Sequence, residues 1–197
     1  MKRIIMLFCL LALVSCQQIG KTIFGFKDPK LENPQNIKMY LDQNKMQHGD
    51  NYLCKDKKAF SDIIKVFYKR IPEAILFDKN GNELIYKEDS ESCNAGLFRV
   101  IPNLDANTKL KTGTHNIQQL ITDFTIPLES ESMQVMNDSD YYLMINWAIF
   151  VGNRNVDHVS AWQELAENNR KVKIKVVKLN MDFQDGWGLT EKEIQFK

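Results

Sequence analysis

Two cysteines in the body of the chain, Cys54 and Cys93, are the residues best suited to covalent chemistry. A cysteine reacts as its thiolate, which a position at the start of a helix stabilises. Cys54 stands just ahead of Asp56 and a predicted helix, so it is the better placed of the two. Three interpretations remain open: a structural disulfide that closes a long loop, two inert buried thiols, or a catalytic pair.

Other common catalytic and metal-binding patterns do not occur in the sequence. His48, His115 and His158 are far apart and show no metal-ligand spacing. Asp182 and Asp185 lack the alternating oxygen ligands of a calcium loop, so we interpret them as turn residues. There is no nucleophile elbow, phosphate loop or dinucleotide fingerprint. The sequence therefore predicts no metal and no cofactor.

The first sixteen residues have the organisation of a bacterial secretion signal. Lys2 and Arg3 precede an apolar run over residues 4–14, which is too short to span a bilayer as a stop-transfer helix. The run ends in Leu13-Val14-Ser15-Cys16, which resembles the lipobox of bacterial lipoproteins. This resemblance implies cleavage before Cys16, acylation of its thiol and of the new amino terminus, and firm membrane anchoring. The alternative is an ordinary signal peptide with an incidental cysteine.

The sequence predicts a signal peptide at residues 1–15, a lipid-anchored tether at 16–32 and one domain at 33–197. Cleavage leaves 24 basic against 25 acidic side chains, so no basic excess indicates a nucleic-acid partner. The expected partners are the membrane, through acylated Cys16, and an unidentified protein or small ligand. Gln17 follows Cys16 where inner-membrane retention would favour Asp. By analogy with enteric bacteria, we expect placement in the cell envelope at the outer membrane, facing the periplasm.

In the first half of the domain, the residue pattern predicts helices followed by a hairpin. Asn33-Pro34 begins a helix that we expect to end near Gly49, and Asp56 caps a second helix that ends at Pro72. A strand is predicted at residues 51–54. Asn80-Gly81 separates two strand-like runs and predicts a tight hairpin turn. A short helix is expected at about residues 115–124, and residues 127–140 form a polar surface connection.

In the second half of the domain, the residue pattern predicts a strand, then a helix, then a second strand. Residues 143–150 are almost wholly apolar, which is typical of a strand covered on both faces. The helix at about residues 156–168 is expected to bury Val156, Val159 and Trp162. A second strand follows at residues 172–181. A unit of this length is most simply a right-handed βαβ crossover.

The loop after the first of these strands carries a family resemblance. The run Trp147-Ala148-Ile149-Phe150-Val151-Gly152-Asn153-Arg154-Asn155 resembles the active-site loop of thioredoxin-like proteins, Trp-Ala-x-Trp-Cys-Gly-Pro-Cys-Lys. The nucleophilic cysteine of that motif falls on Val151, and its resolving partner falls on Arg154. Neither side chain can exchange a disulfide, so the resemblance implies a redox-inactive loop.

The same resemblance predicts an α/β fold with a thioredoxin-like mixed sheet flanked by helices. It implies that Val151, Gly152, Asn153, Arg154 and Asn155 form a binding loop near Pro72, because those segments bind substrate in the family. Ile71-Pro72 and the following hairpin resemble the cis-proline hairpin of thioredoxins, which here would precede the loop in a permuted order. In the rival arrangement, the hairpin is an amino-terminal extension and the carboxy-terminal half is truncated.

These observations predict a membrane-anchored envelope lipoprotein with a redox-inactive thioredoxin-like domain that binds or scaffolds. The alternative function is a thiol-disulfide oxidoreductase that uses Cys54 and Cys93. A third possibility is a structural envelope protein without a ligand. The enzyme hypothesis requires a thiol that titrates below the usual value near pH 8.5.

Overall fold

The structure is a computed structural model that describes residues 25–87, 94–129, 136 and 138–195. The predicted signal peptide, Cys16 and Cys93 lie outside the described residues. None of the helices in the described part of the chain has the length and apolar character needed to cross a membrane.

A seven-stranded mixed sheet flanked by helices forms the centre of the molecule. Its order is β5-β4-β3-β7-β8-β2-β6, and its strands are β2 (Asn51–Cys54), β3 (Glu73–Asp78), β4 (Asn82–Ile85), β5 (Lys111–Asn116), β6 (Thr125–Pro127), β7 (Tyr141–Trp147) and β8 (Ile174–Asn180). Two short strands, β1 (Leu31–Glu32) and β9 (Phe183–Gln184), pair in parallel outside this sheet. The predicted α/β class is confirmed, and the mixed sheet is consistent with a thioredoxin-like fold.

The central strand β7 carries the loop that follows Trp147. It pairs in parallel with β8 over seven residues and antiparallel with β3 over six. All seven of its residues are buried, because β7 has a neighbouring strand on each side and helices on both faces. This environment explains its nearly continuous apolar sequence. The parallel pairing of β7 with β8 confirms the predicted βαβ crossover.

Six α-helices are described: α1 (Pro34–Gln43), α2 (Lys57–Val66), α3 (Leu97–Asn103), α4 (Ile117–Phe124), α5 (Ala161–Glu167) and α6 (Glu191–Ile194). The predicted caps are confirmed, since Asn33 accepts from the Asn36 N–H at 2.9 Å and Asp56 accepts from the Ala59 N–H at 2.7 Å. Helix α1 ends at Gln43 rather than near Gly49. Two elements that the sequence did not predict are α3 and β5, which begins at the end of the weakly patterned region before residue 112.

The helices bury two hydrophobic layers, one on each face of the sheet. One layer contains Trp147 and Trp162 and packs against α1, α3 and α5. The other contains Phe67 and Phe77 and packs against α2 and α4. Val156, which the sequence assigned to the core, is 47% exposed. The reason is that residues 155–160 wind as a π-helix, whose wider turn rotates side chains away from the positions that α-helical spacing predicts.

The hairpin β3–β4 lies beside the central strand, with the first residue of β3, Glu73, opposite Asn146. The peptide bond between Ile71 and Pro72, just before β3, is cis. The hairpin therefore comes before β7 in the chain and beside it in the sheet. This placement agrees with the permuted arrangement, in which the hairpin completes the sheet.

Candidate functional site

The loop after β7 lies at the edge of the sheet where β7 and β8 end. It makes a short 3-10 turn at Ile149–Val151 and then passes through Gly152, whose φ of +58° favours a residue without a side chain. Val151 is buried at 3% exposure, Asn153 is exposed, and Asn155 is fully buried. Val151, which the resemblance aligns with the nucleophilic cysteine of thioredoxin-like proteins, thus has a buried hydrocarbon side chain.

Pro72 lies at the same edge, because β3 begins opposite the end of β7. Pro72 and the predicted binding loop therefore lie at the same edge of the sheet. Arg154 is half-buried, and its guanidinium lies over the ring of Phe26 at 4.9 Å. A contact of this kind is a cation–π interaction. It connects the loop to the segment that the sequence assigned to the tether.

Asp182 is a polar residue beneath the loop that its sequence position did not identify as part of the site. Interpreted as a turn residue, it is instead buried at 2% exposure beneath the loop. Its carboxylate accepts the Ile149 N–H at 2.8 Å and the Asn180 side-chain amide at 2.7 Å. Burial raises the pKa of Asp182 to about 7, although these hydrogen bonds favour the charged form. The signal that could have found it is its position directly after a buried strand, at the edge that carries the loop.

A second polar contact lies below the loop on the α1 side. The Asn155 side-chain amide donates to the Ala148 carbonyl at 2.8 Å and to the Tyr40 hydroxyl at 2.9 Å. Tyr40 stacks on Trp147 with ring centroids 5.8 Å apart. Burial raises the pKa of the Tyr40 hydroxyl, so this group stays protonated at neutral pH. These contacts connect the loop to α1 and to the end of β7.

Residues 25–32, which we call the strap, cross the loop from the amino-terminal side. The Lys27 N–H donates to the Phe150 carbonyl at 2.8 Å. Between the strap and the loop lies a cleft of about 150 Å³, lined by Lys27, Asp28, Lys30, Glu32, Ile149, Phe150 and Asp182. The sequence predicted a lipid-anchored tether at residues 16–32, and the strap is the last eight residues of that segment.

Cys54 lies at the end of β2, at the same edge of the sheet. Its thiol is free, is only 2% exposed and contacts the Met181 sulfur at 3.7 Å. Burial raises the pKa of the Cys54 thiol, with a further increase from Asp56. A catalytic thiol needs the opposite shift. Its pairing with Cys93 stays a prediction, because Cys93 lies outside the described residues.

The cysteine described at this edge, Cys54, is therefore buried and has a raised pKa. Within the described residues, no cluster of three or more His, Cys, Asp or Glu side chains could hold a metal ion. Comparison with known proteins found no matching protein-family model, no matching curated protein and no matching solved structure.

Proposed function

We propose that this chain is a lipoprotein of the bacterial cell envelope whose redox-inactive, thioredoxin-like domain binds or scaffolds a partner at the loop edge. The observation that carries the proposal is the loop itself. Val151 and Arg154 stand where the family has its two cysteines, and the backbone around them is held by Asp182 and Asn155. The frame of the site is present, but its thiol chemistry is replaced.

The alternative, an oxidoreductase that uses Cys54 and Cys93, has less support. Disulfide exchange requires a thiolate that its substrate can reach. Cys54 is almost completely buried, and burial raises its pKa. Both properties slow attack on a substrate disulfide.

A disulfide-reduction assay separates the two functions. We expect the mature chain to reduce a standard protein disulfide no faster than the Cys54→Ser, Cys93→Ser double variant. A rate clearly above that of the double variant would overturn the redox-inactive proposal and support the alternative.

Anchoring and binding are tested separately. We expect the protein to be found in the membrane fraction and to incorporate labelled palmitate, and the Cys16→Ala variant to incorporate none, because the variant has no thiol to acylate. For binding, we expect partners captured from solubilised membranes by the acylated protein to be lost in Arg154→Ala and kept in Lys171→Ala. Lys171 is an exposed residue at the opposite end of β8. Equal capture by both variants, or none by the parent chain, would contradict a binding role for the loop.

A further inference from the structure

The strap is bound to the loop along its first residues. Besides the hydrogen bond from Lys27 to Phe150, Phe26 lies against Arg154 and the Lys27 ammonium lies 5.9 Å from the centre of the Tyr40 ring. Gly25 has a φ of +64°, and a Cβ there would come within 3.2 Å of the Asn153 side chain. Glycine therefore allows the backbone to adopt this conformation close to the loop.

The strap is also bound at its far end. Leu31 and Glu32 form β1, which pairs in parallel with Phe183 and Gln184 of β9. Because β9 follows the end of β8, this pairing lies at the same edge of the sheet as the loop. The strap is thus fixed to one edge of the domain at both ends.

We infer that the edge carrying the loop faces the lipid bilayer and that the strap imposes this orientation. The inference rests on the proposed acylation of Cys16. Eight residues lie between Cys16 and Gly25, so the nine residue-to-residue steps from one to the other span at most about 32 Å when fully extended. A compact domain of roughly 165 residues has a diameter of about 40 Å. In the inverted orientation the loop would lie about one diameter from the membrane, beyond the reach of the anchor.

The opposite end of the molecule is correspondingly directed away from the membrane. Lys173 and Asp140 lie there, since the Lys173 N–H donates to the Asp140 carboxylate at 2.8 Å just before β7 and β8 begin. A partner that binds the loop would therefore contact it close to the bilayer surface rather than deep in the periplasm.

Energy transfer to labelled lipids measures this orientation in the acylated full chain. A fluorophore is placed on Gly186→Cys or on Lys171→Cys, in a background of Cys54→Ser and Cys93→Ser, with acceptors on vesicle headgroups. Gly186 lies near the loop edge with nothing within 4 Å of its Cβ position, and Lys171 is exposed at the opposite end. We expect higher transfer from position 186 than from position 171. Equal transfer, or the reverse order, would overturn the inference.

Two further measurements separate the strap from the anchor. Lys27→Pro removes the N–H that donates to the Phe150 carbonyl and should reduce the difference in energy transfer between positions 186 and 171. Lys27→Ala keeps that N–H and should leave this difference unchanged. If Lys27→Pro leaves the difference unchanged, the strap does not set the orientation. Flotation of the vesicles reports on acylation alone: protein that fails to float would refute the proposed anchor, and the orientation with it.

Discussion

Asp182 is the residue whose chemistry depends most on its surroundings. A carboxyl group this deeply buried loses the hydration that stabilises its charge, so its pKa rises to about 7. The Ile149 N–H and the Asn180 amide partly compensate by donating to the charged form. Glu32 of the strap raises the pKa further by repulsion. The loop and the strap thus share a titratable group near neutral pH.

We expect this group to make stability depend on pH. The pKa of Asp182 is raised from about 3.8 to about 7 on folding, so its contribution is fully present below pH 4 and is lost as the pH rises through 7. A shift of this size corresponds to a loss on the order of 4 kcal/mol. The measurement is the free energy of unfolding in urea from pH 4 to pH 8 for the parent chain and for Asp182→Asn.

The amide of Asp182→Asn does not titrate, so the parent chain should lose stability relative to this variant as the pH rises. Asp185→Asn is the matched control, because Asp185 is exposed three residues away. This control reports what the removal of one exposed carboxylate does to the free energy of unfolding at each pH. A difference between Asp182→Asn and the parent chain that does not change with pH would contradict the assignment.

Cys54 is the second residue whose environment makes a clear prediction. In a Cys93→Ser chain, we expect the Cys54 thiol to react with a thiol reagent at pH 8 at least about 100-fold more slowly than in denaturant. Burial both lowers its thiolate fraction and blocks access. The measurement is the rate of labelling in the folded and unfolded protein. Rapid labelling of the folded protein would revive the oxidoreductase hypothesis.

At the scale of elements, α1 connects the amino-terminal half of the chain to the loop. Its Tyr40 stacks on Trp147 and accepts a hydrogen bond from Asn155, and its start is capped by Asn33. The helix therefore holds one side of the loop, while Asp182 holds the other. Its position depends on a cap that directly follows the strap.

Removal of this cap should cost stability. Asn33→Ala leaves the Asn36 N–H without its side-chain acceptor, and we expect the free energy of unfolding to fall by about 1 kcal/mol. Asn33→Ser retains an acceptor and should lose much less. The measurement is chemical denaturation of both variants and the parent chain. An equal loss in the two variants would show that capping is not the reason.

At the scale of the whole molecule, one sheet separates two hydrophobic layers and places the loop, Pro72, Cys54 and the strap at a single edge. The central strand β7 is buried along its entire length, whereas β5 at the margin of the sheet is largely exposed or half-buried. Stability should therefore be distributed unevenly across the sheet.

Amide hydrogen exchange under native conditions should reveal this gradient. We expect the hydrogen-bonded amides of Tyr141–Trp147 to exchange only through global unfolding, and those of Lys111–Asn116 to exchange through local opening at lower free energy. The measurement is exchange followed by peptide mass spectrometry, with added denaturant to identify the global process. Equal protection of both strands would contradict the predicted gradient.

The sequence alone determined the local elements. The caps at Asn33 and Asp56 and the turn at Asn80-Gly81 depend on side chains a few residues away, so their patterns predicted the structure well. The apolar run of β7 also predicted a covered central strand, because a strand that is covered on both faces exposes no alternating polar side chains. Val156 was predicted incorrectly because an α-helical spacing was applied to a π-helix. Helix α3 was missed because Pro102 interrupts its pattern.

Only the tertiary structure decided the environment of the loop. Asp182 and Ile149 are 33 residues apart in the chain, and Lys27 and Phe150 are 123 apart. Neither contact leaves a periodic pattern, because each depends on where folded elements end rather than on local conformation. The same reason applies to Cys54, whose buried position sets its pKa. The sequence identified a loop without its cysteines, and the fold showed what covers that loop and supports it.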